Sequence, residues 1–167
     1  ISGAVLGRMN FMAYILFILI WTLGIYNPVA YWVWSLAGEK GWLLKLGNID
    51  FAGGNVIHIA SGFSSLAVSL ALGKRVNDED VKPNDLMIAL GTSLLWFGWF
   101  GFNAGSQLAA DGIAALAFLN THIAACVGLV SWTLLEYMTT KTVTAVGTAS
   151  GVIAGLVAIT PGCGYID

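Results

Sequence analysis

Long apolar stretches are the feature of this sequence that most constrains its fold. A helix needs roughly 20 predominantly apolar residues to cross the hydrocarbon core of a bilayer. Five stretches reach or approach that length, and Gly, Pro, Asn or charged residues typical of loops separate them. Such stretches must be helical in lipid, because every backbone donor needs a partner within the segment. We predict an all-α membrane protein, a polytopic helical bundle with spans at about 9–34, 50–73, 86–104, 113–137 and 143–160.

Composition agrees with this class and excludes others. The chain is 57% hydrophobic and only 10% charged, whereas soluble domains carry about 25% charged residues. A net charge of -2 without a basic cluster argues against a nucleic-acid partner. Cys126 and Cys163 lack metal-type or redox-type spacing, so we interpret them as small buried hydrophobes and expect no metal and no cofactor. The chain begins with Ile1 rather than Met, and we expect it to be part of a longer protein.

The distribution of Lys and Arg predicts the orientation of the spans. Five spans place alternate loops on opposite sides, and the side with more Lys and Arg is cytoplasmic by the positive-inside rule. One side carries Arg8, Lys74, Arg75, Lys82 and Lys141, and the other carries Lys40 and Lys45. The N-terminus of the chain is therefore expected in the cytoplasm. Trp32, Trp34 and Trp42 then lie at the outer interface, and Asn27-Pro28 should kink or end the first span near that side.

An ionisable pair lies in the second apolar stretch, where Asp50 opens the run and His58 follows two helical turns later. A charged side chain at mid-bilayer costs about 2.5–3.5 kcal/mol, so ionisable residues in spans normally face a bundle interior or a pathway. We interpret His58 as functional. Asp50 at the start of a helix is interpreted as structural, because a carboxylate there caps free amides and can add negative potential. His122 is expected to be an interior residue, and Glu136 to reach water at the cytoplasmic end.

Several motifs together resemble one known family. The runs RMNFMAYILF, DFAGGNVIHIASG, LLWFGWFGFNAGSQLAADGIAALAFLNT and SGVIAGLVAITPGCGY resemble the ammonium transporters (the Amt/Mep/Rh family), in the same order and at nearly the same spacing. The resemblance covers the whole chain. It implies an eleven-span fold built from two inverted five-span repeats, of which this chain resembles spans four to eight. The repeat boundary would lie in the cytoplasmic loop around Lys74–Asp85.

The resemblance also implies a function and the residues that perform it. It implies that ammonium is recruited at an outer aromatic site containing Trp34 and Ser106, passes a gate of Phe102 and Trp99, and meets a pore relay at His58. Asp50 would shape the outer site. A second histidine and a further outer aromatic would lie outside this chain. From the residues alone, Trp34 fits an interface anchor better than a binding residue, and Ser106 fits a loop or helix-cap residue better.

Physical chemistry favours a transporter that strips a proton from ammonium. A bare ion transferred to an apolar medium pays a Born cost on the order of tens of kcal/mol, and buried groups usually become neutral instead. Lysine, an alkylammonium, has a pKa near 10.4 that falls to about 5–6 when the group is buried. An apolar pore is therefore expected to pass ammonia after deprotonation. No enzymatic activity is expected, because neither a GxSxG nor an HExxH motif supports a hydrolase built on Ser61 and His58.

The resemblance implies partners and leaves a second function open. It implies a homotrimer in the plasma membrane or a bacterial inner membrane, with a PII-type signal protein as a cytoplasmic partner. The Gly147, Gly151 and Gly155 stripe permits close helix packing. The chain departs from the family pattern at Gly7, Asn10, Tyr31 and residues 83–85. Such departures are consistent with an ammonium sensor on the same fold, which binds ammonium without net transport.

Overall fold

The computed structural model describes residues 1–36, 38–74 and 83–167, and these residues form helices joined by turns and loops. The chain divides into two compact units, Ile1–Asp80 and Val81–Asp167. Helices of the first unit are α1 (Ser2–Val5), α2 (Phe11–Trp21), π1 (Thr22–Tyr26), α3 (Asn27–Trp34), α4 (Trp42–Lys45), π2 (Gly54–Ile59) and α5 (Ala60–Leu72). Helices of the second unit are α6 (Asp85–Gly105), α7 (Gly112–Thr140) and α8 (Ala145–Ile159).

The first span contains a π-helical turn where we predicted a kink or an end. Pro28 lacks an N–H, and in a regular helix its ring would press on the carbonyl four residues earlier. In the structure the helix neither ends nor breaks at Asn27-Pro28, so α2, π1 and α3 form one run, Phe11–Trp34. The amide of Asn27 donates to the carbonyl of Thr22, five residues earlier. The wider turn thus accommodates the proline without a break in the helix. Of the two predicted outcomes, a kink or an end, the end is wrong.

Two tethers hold the first unit together along its length. The indole Nε1 of Trp21 donates to the hydroxyl of Ser64 at 2.7 Å, which joins the end of α2 to α5. The Arg8 guanidinium donates to the carbonyl of Gly73, the residue that follows α5. Arg8 and Lys74 therefore lie at the same end of this unit. Arg75 and Lys82, and most of the expected repeat-boundary loop, lie outside the described residues.

Glycines bring α7 and α8 into close contact in the second unit. A Cβ on Gly155 would lie 2.1 Å from the carbonyl oxygen of Ala124, and one on Gly128 would lie 2.3 Å from that of Gly151. Such distances exclude any larger side chain at these positions. Gly151 and Gly155 of the stripe in α8 therefore pack against α7 of the same chain. The stripe is accounted for within one subunit and gives no separate support for a trimer.

Among the described residues, four helical runs are long and apolar enough to cross a membrane: Phe11–Trp34, Gly54–Leu72, Asp85–Gly105 and Gly112–Thr140. The predicted fifth span, 143–160, contains the apolar helix α8. Its 15 residues extend about 22 Å at 1.5 Å per residue, which is less than a full hydrocarbon core. The predicted all-α class is confirmed, with four helical runs of membrane-spanning length and a last helix shorter than expected.

Candidate functional site

The Asp50 carboxylate organises the start of the second span. Its side chain is 8% exposed and accepts four backbone amides. Oδ1 accepts from Gly53 at 2.8 Å and from Gly54 at 2.6 Å. Oδ2 accepts from Asn55 at 2.8 Å and from Val56 at 3.2 Å. Because the first amides of a helix have no partner within it, one buried carboxylate here satisfies almost the whole opening turn of π2.

His58 lies within this turn rather than in a regular α-helix. The carbonyl of Gly53 accepts from the amides of both Ile57 at 2.8 Å and His58 at 3.0 Å, so the turn widens at His58. Gly53 has φ 115°, a backbone conformation that favours glycine, and a Cβ there would meet the side chain of Ile57 at 2.6 Å. Single π-helical turns inside longer helices are frequent at functional sites. His58 is half-buried within its unit.

Trp34 lies at the end of the first span and is joined to this site. Its indole Nε1 donates to the backbone carbonyl of Asp50 at 2.8 Å, while 37% of the residue stays exposed. The bond fixes the edge of the ring against the start of the second span. The structure therefore brings Trp34, Asp50 and the turn that carries His58 together within the first unit. Ser61 donates its hydroxyl to the backbone carbonyl of His58 at 3.2 Å.

Trp99, Phe102 and Ser106 are grouped at the end of α6 in the second unit. The rings of Trp99 and Phe102 lie 5.6 Å apart between centroids, at 57°. Trp99 Nε1 donates to the hydroxyl of Thr160 at 2.9 Å, and Thr160 donates in turn to the carbonyl of Leu156. Ser106 Oγ donates to the carbonyl of Phe102 at 2.7 Å. Since this bond uses the hydroxyl proton, the lone pairs of Ser106 Oγ remain able to accept.

The sequence analysis missed a buried polar pair next to this group. Asn103 and Thr121 are fully buried, and Asn103 Nδ2 donates to Thr121 Oγ1 at 2.9 Å. Thr121 donates to the carbonyl of Ala117. The sequence did contain a signal for this pair, since both residues are polar and lie within apolar spans. Polar side chains in spans normally form hydrogen bonds to a neighbouring helix.

The expectation for His122 fails within its own unit. We expected an interior residue, but His122 is exposed on α7. Its ring lies against two aromatic rings of α6, Trp96 at 5.4 Å and Phe100 at 6.1 Å between centroids. The two rings hold the imidazole in place, while His122 as a whole stays exposed within its unit. Glu136 accepts from the Thr144 hydroxyl at 2.7 Å, which fixes the turn before α8.

Comparison with known proteins identifies the family. The family model described as Ammonium Transporter Family matches residues 1–167. The chain belongs to the ammonium transporter family. It is 49% identical over 167 residues to an ammonium transporter of Bacillus subtilis and 46% identical over 168 residues to one of Aquifex aeolicus. The predicted resemblance is confirmed, and the apolar helices together with these relatives make the chain part of an integral membrane protein.

Solved structures of family members share the fold. The chain is similar to Mep2 of Candida albicans, with a TM-score of 0.90, 41% identity and 99% of this chain covered. It is also similar to a structure described as a sensor Amt protein, with a TM-score of 0.87, 35% identity and 95% of this chain covered. The chain spans 40% of the length of the Bacillus transporter and 38% of the Mep2 chain. It therefore corresponds to a part of the family fold, as predicted.

Proposed function

We propose that the protein containing this chain transports ammonium across a membrane. The observation that carries this proposal is the match along the whole chain to relatives named ammonium transporters, at up to 49% identity for those cited above. The organisation of Asp50 and His58 at the start of the second span, with Trp34 bonded to it from the end of the first span, supports it. Ammonium and the lipid bilayer are then the partners of the protein.

Recruitment would take place at Trp34 and Ser106. The exposed indole face of Trp34 can attract a cation that is losing water, an interaction worth about 2 kcal/mol when the cation is desolvated. Its Nε1 is occupied by the Asp50 carbonyl, which fixes the plane of the ring before a cation arrives. Ser106 would accept a hydrogen bond from ammonium, because its own proton is donated to Phe102.

Passage would require loss of the proton. Phe102, held beside Trp99, would close the mouth of an apolar path, and His58 would relay hydrogen bonds inside it. A neutral imidazole has one donor and one acceptor nitrogen, so it can pass a hydrogen bond or a proton along a file. The opening amides of a helix carry a partial positive charge that would repel a cation. The Asp50 carboxylate offsets this charge at the start of π2.

The test of the proposal is His58→Ala in the full-length protein. Removal of the imidazole deletes the relay but little packing, so ammonium-induced currents in proteoliposomes should fall at least tenfold or change in ion selectivity. Ser61→Ala, one turn further on, is the matched control, because its hydroxyl bonds only a backbone carbonyl among the contacts described. Wild-type currents in His58→Ala would contradict the relay.

A sensor is the second candidate function, and the similarity to the sensor Amt protein favours it. A sensor would bind ammonium at Trp34 and Ser106 without net passage. Thermal stabilisation by ammonium, which grows as RT ln(1 + [L]/Kd) for binding to the folded state, should be measured beside flux in one preparation. Binding without flux supports the sensor, and robust flux rejects it. We place transport first because His58 and Phe102 serve passage and are not needed for binding.

The assembly and the location are part of the proposal. We infer a homotrimer in which each subunit holds its own pore, in the plasma membrane or a bacterial inner membrane. Native mass spectrometry of the full-length protein should give three subunits, and a stable monomer or dimer would contradict this. The N-terminus of the chain, the Arg8 side, would be cytoplasmic, as would the surface for a PII-type signal protein. Accessibility of a cysteine introduced beside Arg8, tested from each side of the membrane, checks the orientation.

A further inference from the structure

A histidine and a cysteine lie next to each other on α7, and neither is among the residues assigned to the proposed path. His122 and Cys126 are four residues apart, which places both side chains on one face of the helix. His122 Nε2 and Cys126 Sγ are 3.8 Å apart. His122 is exposed and Cys126 half-buried within their unit. We propose that this pair binds a soft monovalent metal ion, Cu(I) or its analogue Ag(I).

The separation of the two atoms suits one shared ion. With bonds as long as those at zinc, about 2.3 Å to sulfur and 2.1 Å to nitrogen, two ligands at a tetrahedral angle lie about 3.6 Å apart and two opposed ligands about 4.4 Å. The observed 3.8 Å lies between these limits. Both atoms can therefore reach a single ion without movement of the backbone.

The surrounding rings hold the imidazole in place. Trp96 and Phe100 lie against His122 with interplanar angles of 32° and 35°. A ligand whose orientation is fixed before binding loses less freedom when the metal arrives. A ring nitrogen that binds metal must carry no proton, so His122 would bind through Nε2 with its remaining proton on Nδ1.

Ligand number and charge select the type of ion. Among the described residues no group of three or more His, Cys, Asp or Glu side chains is placed to hold a metal. The pair is thus a two-ligand site, and its thiolate favours a soft ion such as Cu(I).

On binding, Cys126 releases its thiol proton to solvent, and Sγ and Nε2 each donate a lone pair while the ion keeps its charge of one. The thiolate then cancels that charge. This matters because His122 and Cys126 lie about 15 and 21 Å along a helix about 43 Å long, from a rise of 1.5 Å per residue. That is the middle of a candidate span. A divalent ion such as Zn(II) would leave a net positive charge there, which an apolar environment disfavours.

The experiment measures silver bound to the full-length, freshly reduced protein in detergent. Equilibrium dialysis against Ag(I) buffered with imidazole, followed by elemental analysis, gives the ions per chain. Wild type should bind one ion more than Cys126→Ala, and His122→Ala should weaken that ion at least tenfold. Cys163→Ala should bind as wild type does, because Cys163 is fully buried and its burial also raises the pKa of its thiol to about 11.

Three results would overturn the proposal. These are equal silver binding in wild type and Cys126→Ala, unchanged affinity in His122→Ala, and Zn(II) binding as tight as that of Ag(I). A second measurement guards against misfolded variants: Ag(I) should protect Cys126 of wild type from alkylation, with the site read by peptide mass spectrometry. Alkylation of Cys126 at the same rate with and without Ag(I) would also reject the site.

Discussion

Asp50→Asn should destabilise the protein far more than its small change in shape suggests. The carboxylate uses both oxygens, each for two amides. An asparagine keeps one oxygen and turns an NH2 group toward the other two donors. If the remaining oxygen keeps the shorter hydrogen bonds from the amides of Gly53 and Gly54, the hydrogen bonds from the amides of Asn55 and Val56 are lost. Bonds to a charged acceptor contribute about 1.5–3 kcal/mol each, so the loss is about 3 kcal/mol at the lower limit.

Asp111→Asn is the matched control, because Asp111 also caps a helix but in a different way. Its Oδ1 alone accepts both amides, from Ile113 and Ala114 at 3.0 Å each, and its Oδ2 accepts from Gln107. An asparagine can keep both amide bonds. Thermal unfolding of the full-length protein in detergent should therefore show a large drop for Asp50→Asn and little change for Asp111→Asn. Equal unfolding temperatures for the two variants would refute the four-amide account.

Further predictions concern packing, the Trp99 tether and pH. Gly155→Ala should lower the unfolding temperature, because its Cβ would overlap the Ala124 carbonyl and overpacking costs about 1–3 kcal/mol. Gly101→Ala should not, because a Cβ at Gly101 would meet no atom of the described residues within 4 Å. Thr160→Val removes the acceptor of Trp99 Nε1 and should cost about 1 kcal/mol in unfolding free energy, measured by denaturant titration. Bonds from Ala114 and Gln107 lower the pKa of Asp111 below 3.8. The contribution of the Asp111 carboxylate to stability is complete above its ordinary pKa and is lost as the pH falls through its lower pKa in the folded protein. The difference in unfolding temperature between wild type and Asp111→Ala should therefore narrow below pH 3.8.

Hydropathy and turn residues were enough to predict the helical class and the approximate spans. The length of a bilayer sets the length of an apolar helix, and this rule depends on no tertiary contact. The position of Asp50 before a helix likewise follows from the free amides at helix ends. The four-fold use of its carboxylate could not be predicted, because it depends on the left-handed φ of Gly53 and the widened turn after it.

The failures have a common physical origin in contacts between helices and in helix register. The first span was expected to kink or end at Asn27-Pro28, but the helix continues through the π-turn π1 instead of ending. His122 was expected inside because it follows the polar pair Asn120-Thr121. Its exposure within its unit depends on the rotation of α7 against α6, which glycine spacing alone does not fix.

The widened turn at His58 links the stability of the chain to its proposed chemistry. An α-helix rotates about 100° per residue, and a π-turn accommodates one extra residue, so the direction of His58 relative to α5 depends on π2 being present. The π-turn π2 itself depends on Asp50, because the carboxylate accepts from the amides of Gly54, Asn55 and Val56. A change at Asp50 that lets the turn relax to a regular α-helix would redirect the imidazole without touching it. We therefore predict that Asp50 also positions His58: in an Asp50 variant, the loss of function should accompany the loss of the π-turn.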